Sequence, residues 1–170
     1  NFTGRNDITI SGGISIVSGK FPIGKAAILS GEAEDEAKNH TCNHQTKNAI
    51  QLFGLAANWD MEFTEVKKLK TKFLNWLYKG HISKGLLTQI FGYYLKYKES
   101  KGKDLSWKWH AAYNLARRAK EAKDERKLAL DEIKNILFVE VGSERLRFET
   151  LAMAARWAEL EYRMLNTKNP

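Results

Sequence analysis

The sequence predicts an α+β protein, with a strand–helix–strand segment over residues 1–58 followed by an all-α helical bundle over 59–170. Three observations predict it. The hydrophobic period changes from two to about 3.6 near residue 59. The net charge of +8 lies wholly beyond that point, because residues 1–58 carry five basic and five acidic side chains. All five tryptophans (Trp59, Trp76, Trp107, Trp109 and Trp157) lie there too. A step in period, charge and aromatic content at one place marks two units with different work.

The first element is a strand over Asp7–Val17, where Ile8, Ile10, Ile14 and Ile16 alternate with small or polar residues and share one face. Gly12-Gly13 interrupts it, as a bulge or a close approach by another backbone requires. Ser18-Gly19-Lys20 is turn chemistry, and Pro22 suits a first helical turn, where its missing N–H is not needed. A closely packing helix follows from Ile23 to Asn39, marked by Ala26, Ala27, Ala33 and Ala37. His40–Thr46 is predicted to be a polar loop. Asn48–Phe53 is a short strand, ended by Gly54. Two strands and one helix cannot bury both faces of a sheet. Further strands and a helix are therefore expected upstream of Asn1 or from another molecule. The absence of an initiator Met fits a piece of a longer protein.

Five helices are predicted beyond residue 59, joined by short loops, which favours an antiparallel bundle. Asp60 or Thr64 is placed as the first cap, before Phe63, Val66, Leu69, Phe73, Leu74 and Leu77, and Gly80 as the stop. Ser83 caps the next, carrying Leu86, Leu87, Ile90, Tyr93, Tyr94 and Tyr97. A charged linker, Glu99–Lys103, leads to a helix opened by Asp104 or Ser106, with Trp107, Tyr113, Leu115 and Ala119 on its apolar positions. Asp124 opens a fourth with Leu128, Leu130, Ile133, Ile136 and Leu137. Ser143 opens the last, with Leu146, Phe148, Leu151, Ala155, Trp157, Leu160 and Met164.

Composition excludes several classes. At 43% hydrophobic and 28% charged residues the chain can bury a core, which argues against disorder. No apolar run approaches the ~18 residues of a membrane span. The first seven residues lack the basic-then-apolar order of a secretory signal. A single cysteine, Cys42, allows no intrachain disulfide and points to the cytoplasm. His40-Thr41-Cys42-Asn43-His44 offers three metal-ligating side chains. A closed zinc site takes four in paired spacing, so this stretch is assigned to a polar surface loop.

The basic side chains cluster near helix ends: Lys67, Lys68, Lys70 and Lys72; Lys96, Lys98, Lys101 and Lys103; Arg117, Arg118, Lys120 and Lys123. Such clusters are the footprint of a phosphate-backbone partner, contacted without reading sequence. Tyr93, Tyr94, Tyr97, Trp107 and Trp109 have rings that can stack on bases, although their helical spacing favours the core.

The order of motifs resembles a known family. Ile8-Thr9-Ile10-Ser11-Gly12-Gly13-Ile14-Ser15-Ile16, then Phe21-Pro22-Ile23, Gly31-Glu32-Ala33-Glu34-Asp35-Glu36-Ala37-Lys38 and Lys47-Asn48-Ala49-Ile50-Gln51-Leu52-Phe53-Gly54, is similar to the end of the cyclase-like palm domain in the large subunit of type III-A (Csm-type) CRISPR effector complexes. Trp59-Asp60-Met61-Glu62-Phe63, Tyr113-Asn114-Leu115-Ala116-Arg117-Arg118 and Ala155-Arg156-Trp157-Ala158 extend the likeness over nearly the whole chain, and this tail favours type III-A over III-B.

The resemblance implies a partial palm, residues 1–58, joined to a basic helical domain, residues 59–170. It implies a parent protein with an HD-type nuclease domain that makes cyclic oligoadenylates from ATP with Mg or Mn. The Gly-Gly-Asp-Asp turn that holds those ions is absent here, so this piece alone is not expected to be an enzyme. It places Lys38, Lys47 and Asn48 as candidate contacts to nucleotide. Lys67, Lys68, Lys70, Lys72, Lys96, Lys98, Arg117, Arg118 and Lys120 are placed as candidate contacts to crRNA and target RNA or to protein. The implied protein partners are the small helical subunit and the crRNA-end-binding subunit, with no membrane. Two alternatives stand beside it: a diguanylate-cyclase-type signalling domain with a helical extension, and a stand-alone helical nucleic-acid-binding protein.

Overall fold

A computed structural model describes residues 8–141 and 146–166. The protein is α+β, with a small mixed sheet and six α-helices among the described residues. It divides into two compact units, with the boundary between Glu65 and Val66.

In the first unit, strand β1 (Gly12–Ile14) is followed by helix α1 (Ile23–Asn39), ribbon strands β2 (Thr41–Cys42) and β3 (Gln45–Thr46), and strands β4 (Ala49–Leu52) and β5 (Leu55–Asn58). The sheet order is β1-β4-β5. β1 runs parallel to β4 with Gly13 opposite Gln51, and β4 runs antiparallel to β5 with Ile50 opposite Ala57. Parallel neighbours need a crossover, and α1 supplies it. A Cβ on Gly13 would lie 2.2 Å from the Glu34 backbone nitrogen and 2.7 Å from the Ala33 Cβ. The close approach expected at Gly12-Gly13 is therefore the backbone of α1 lying on β1.

Four expectations need correction here. The strand expected over Asp7–Val17 pairs only over Gly12–Ile14, because β4 offers it four residues (Asp7 lies outside the described residues). The close packing of α1 falls on Ala33 and Ala37 alone, whereas Ala27 is exposed and Ala26 half-buried. The loop expected over His40–Thr46 is a tight hairpin, with Asn43 and His44 both left-handed at φ 48° and 64°. Gly54 closes the strand as expected, but the sheet has a further strand that the reading of two strands omits. Phe53 and Gly54, at φ 60° and 75°, turn the chain back into β5. Leu-Ala-Ala-Asn has no β-branched residue, so propensity alone does not mark β5 as a strand.

Helix α2 (Glu62–Tyr78) begins in the first unit and continues into the second. Its start is set by Asn58, not by Asp60 or Thr64. The Asn58 side-chain oxygen accepts from the backbone N–H groups of Asp60 and Met61, both at 3.1 Å, and Glu62 reaches back to the Asn58 N–H at 2.8 Å. These bonds satisfy donors that a helix start leaves open.

The second unit holds the rest of α2 with α3 (Lys84–Glu99), α4 (Ser106–Glu121), α5 (Asp124–Asn135), a π-helical turn (Ile136–Glu140) and α6 (Phe148–Asn166). Gly80, at φ 69°, ends α2, and Ser83 Oγ accepts from the Leu86 N–H at the start of α3. Asp104 accepts from both the N–H and the hydroxyl of Ser106 at 2.7 Å, ahead of α4. Helix α3 packs on α6 and α4, and α4 packs on α5.

Phe73, Leu86, Leu87, Ile90, Ile133, Leu137, Leu151 and Met153 are fully buried, and each such side chain stabilises the unit by roughly 1.5–3 kcal/mol. Tyr113, Leu128 and Met164, read as apolar-face positions, are exposed instead. Ser143 lies outside the described residues, and α6 is described from Phe148. No helix among the described residues is long and apolar enough to cross a membrane.

Candidate nucleic-acid interface

The three candidate nucleotide contacts fall around the β2–β3 ribbon. Lys38 ends α1 and pairs with Glu34 one turn back at 2.9 Å, a contact that raises the Lys38 pKa above its ordinary value. Lys47 is exposed in the left-handed region at φ 69°, and its N–H closes the ribbon base on the His40 carbonyl at 3.2 Å. Asn48 donates its amide to Asp60 at 2.7 Å, and its carbonyl accepts from the Trp59 N–H. Carboxylates thus engage Lys38 and Asn48. Lys47 has no ion pair among the described residues.

The ribbon has its own anchors. His40 Nε2 lies 2.5 Å from a Glu62 carboxylate oxygen, and both side chains are nearly buried. The Asn43 amide and the Cys42 thiol both reach the Met61 sulfur. His40 is therefore a structural tie from the ribbon to the start of α2. No group of three or more His, Cys, Asp or Glu poised to hold a metal ion occurs among the described residues.

In the helical unit the basic clusters divide into tied and outward-facing members. Lys70 pairs with Glu161 at 3.1 Å and lies over the Trp157 ring, 5.0 Å from its centroid. Lys72 pairs with Glu132 and covers Trp76. These two lysines tie α2 to α6 and α5. Lys67 and Lys68 are exposed beside Thr71, Asn75 and Tyr78 on a shallow surface of α2. Lys96 and Lys98 are exposed in the last turn of α3. Arg118 donates to Gln89 at 3.2 Å and to Ser83 at 3.4 Å, which holds α4 on α3. Arg117 and Lys120 are exposed on α4.

The aromatic residues divide in the same way. Tyr93, Tyr94 and Trp107 are buried, with the Trp107 ring tilted against Phe148 at a centroid distance of 4.7 Å and the Tyr93 hydroxyl accepting from Asn114. Trp109 is 79% exposed and Tyr113 68% exposed. The inner row of α4 is Trp107, Ala111 and Leu115, four residues apart. Positions 109, 113 and 117 are two residues out of that phase and point the other way. That phase difference was the available signal for Tyr113, which the apolar reading of α4 had turned inward.

Comparison with protein-family models, curated protein sequences and solved structures finds no significant match to this chain.

Proposed function

We propose that the chain is the trailing part of a cyclase-like palm joined to a basic helical domain, within the large subunit of a type III RNA-guided interference complex. It serves assembly and contact with RNA or the small helical subunit, while the parent protein makes cyclic oligoadenylates from ATP. The observation that carries this reading is the unfinished sheet. β1 pairs with β4 on one edge and has no strand on its other edge among the described residues. Ile8, Ile10, Ile14 and Ile16 around it, and Ile23 and Ile28 on α1, are all exposed. A sheet in this state has surface that calls for more strands and another helix, as a palm divided before its last strand–helix–strand would.

The residues present do not fit the divalent ions of the parent. Gly12-Gly13 leads into Ile14 and Ser15, neither of them a carboxylate ligand, and the chain has no Gly-Gly-Asp-Asp turn. What it offers a bound ATP is charge at the ribbon base. Lys47 is the candidate without a carboxylate partner, and an ammonium there gives charge-assisted contact to a triphosphate. On this reading the ions and the catalytic turn belong to the missing half.

The test is to sequence the gene upstream of Asn1 and to purify the complete product from its native host. The reading expects a Gly-Gly-Asp-Asp turn directly upstream and a bound crRNA. An unrelated upstream domain, or a Gly-Gly-Glu-Phe-like turn with GTP specificity, would overturn it.

A further inference from the structure

The outward face of α4 has an order that folding does not require. Trp109, Tyr113 and Arg117 follow one another at four-residue steps, about 6 Å along the axis, with Lys120 three residues or about 4.5 Å further on. The inner row of Trp107, Ala111 and Leu115 already buries the core side of the helix. An exposed tryptophan forgoes a large apolar burial, so its position needs another reason. Of the neighbours one turn away, Ser106, Ala112 and Ala116 have short side chains, and Leu105 and His110 are exposed beside Trp109 and Tyr113. No hydrogen bond, ring contact or ion pair engages the side chains of Trp109, Tyr113, Arg117 or Lys120 among the described residues.

Charge selects the partner. Helix α4 carries Lys108, Arg117, Arg118 and Lys120 against the single carboxylate of Glu121. Arg118 is tied to α3, whereas Arg117 and Lys120 continue the aromatic row. A protein–protein interface is enriched in Trp, Tyr and Arg but depleted in lysine, so Lys120 at the end of the row is what favours a phosphate-bearing partner. Here two rings run directly into two cations, with no exposed aliphatic side chain larger than alanine between Trp109 and Lys120. A duplex keeps its bases stacked on one another. A single strand can present them to a ring, and the rungs lie further apart than the ~3.4 Å between stacked nucleotides, so each ring takes a splayed base.

We infer that this face of α4 binds single-stranded RNA, with Trp109 and Tyr113 stacking on bases and Arg117 and Lys120 holding the adjacent phosphates. The choice of RNA rests on the proposed function, whereas the stacking row rests on α4 alone.

The test titrates the full 170-residue chain into a short fluorescein-labelled poly-U RNA and follows anisotropy and tryptophan fluorescence. The wild type binds and its emission is quenched. W109A weakens binding roughly 5- to 150-fold, the range that the loss of one base stack implies, and Y113A acts in the same direction. W109F retains affinity within a few-fold while removing the quench. R117Q lowers the salt slope by about one. All these side chains are exposed, and an unchanged circular dichroism spectrum checks the fold of each variant.

The inference is overturned if the wild type does not bind, if W109A and Y113A bind as it does, or if duplex RNA of equal length binds as tightly. It is also overturned if W109A leaves RNA affinity intact and abolishes binding to the small helical subunit. A chain that binds RNA through Trp109 but lacks a Gly-Gly-Asp-Asp turn upstream loses the palm assignment and keeps this one. A chain with the turn and a silent W109A does the reverse.

Discussion

The two units treat their apolar residues in opposite ways. The helical unit draws Phe73, Leu86, Ile90, Leu151 and Met153 fully out of water, whereas the sheet unit leaves Ile10 at 74% and Ile23 at 88% exposure. The difference is one of closure, because five helices can enclose a core among themselves and a three-stranded sheet with one helix cannot. The helical unit closes a core of its own, and the sheet unit leaves apolar side chains exposed among the described residues.

That contrast can be broken by measurement. The largest effect is expected in the helical core, where F73A should cost about 3–5 kcal/mol and L151A about 2–5 kcal/mol in chemical denaturation. The exposed isoleucines are the control, since I14S and I16S should each stay within about 0.5 kcal/mol of wild type and raise solubility. Equal losses at Ile16 and Leu151 would show that the sheet face is covered after all.

Gly13 should be the sensitive position of the sheet unit. Its absent side chain makes room for the backbone of α1 at Glu34, which cannot move like a flexible side chain. G13V should cost about 1–3 kcal/mol and separate the helix from the sheet, as hydrogen exchange in β4 would report. A smaller loss, about 1 kcal/mol, is expected for N58A, which removes the oxygen that satisfies two N–H groups at the start of α2. An N58A chain with unchanged denaturation would mean that solvent serves that helix start equally well.

The smallest expected effect concerns pH. The two bonds from Ser106 hold the Asp104 carboxyl below the usual carboxylate range. Because the folded value is depressed, the contribution of Asp104 is complete above the unfolded carboxylate pKa near 3.9 and fades as pH falls through the folded value. D104N should remove that part of the acid dependence, and a carboxyl titration by NMR should place Asp104 below the other aspartates. A normal Asp104 titration would show that the bonds to Ser106 do not hold.

Positions governed by local chemistry were legible in the sequence. Ser83 caps α3 and Gly80 stops α2 because those roles follow from a hydroxyl reaching an N–H and from a left-handed φ. Gly13 was legible as a close approach, although not which backbone approaches it. The hairpins were not legible: Asn43-His44 and Phe53-Gly54 are not the usual turn pairs, and Phe53 adopts its positive φ between two paired strands. The candidate interface was legible only in part. Sequence clustering gathered Lys70 with Lys67 and Lys72 and set Trp109 beside Trp107. It could not tell which lysine a carboxylate would claim, although the helical phase of α4 does separate Trp109 from Trp107.

The sequence by itself determined the α+β class, the +8 charge of residues 59–170, and local starts and stops such as Ser83 at α3 and Gly80 at α2. Each of these depends on residues within a turn or two of one another, where period, propensity and capping act. Only the tertiary structure decided that Lys70 and Lys72 meet Glu161 and Glu132 and that the isoleucines of β1 and α1 are uncovered. Those outcomes depend on which distant segment arrives beside a side chain, and no local rule contains that information.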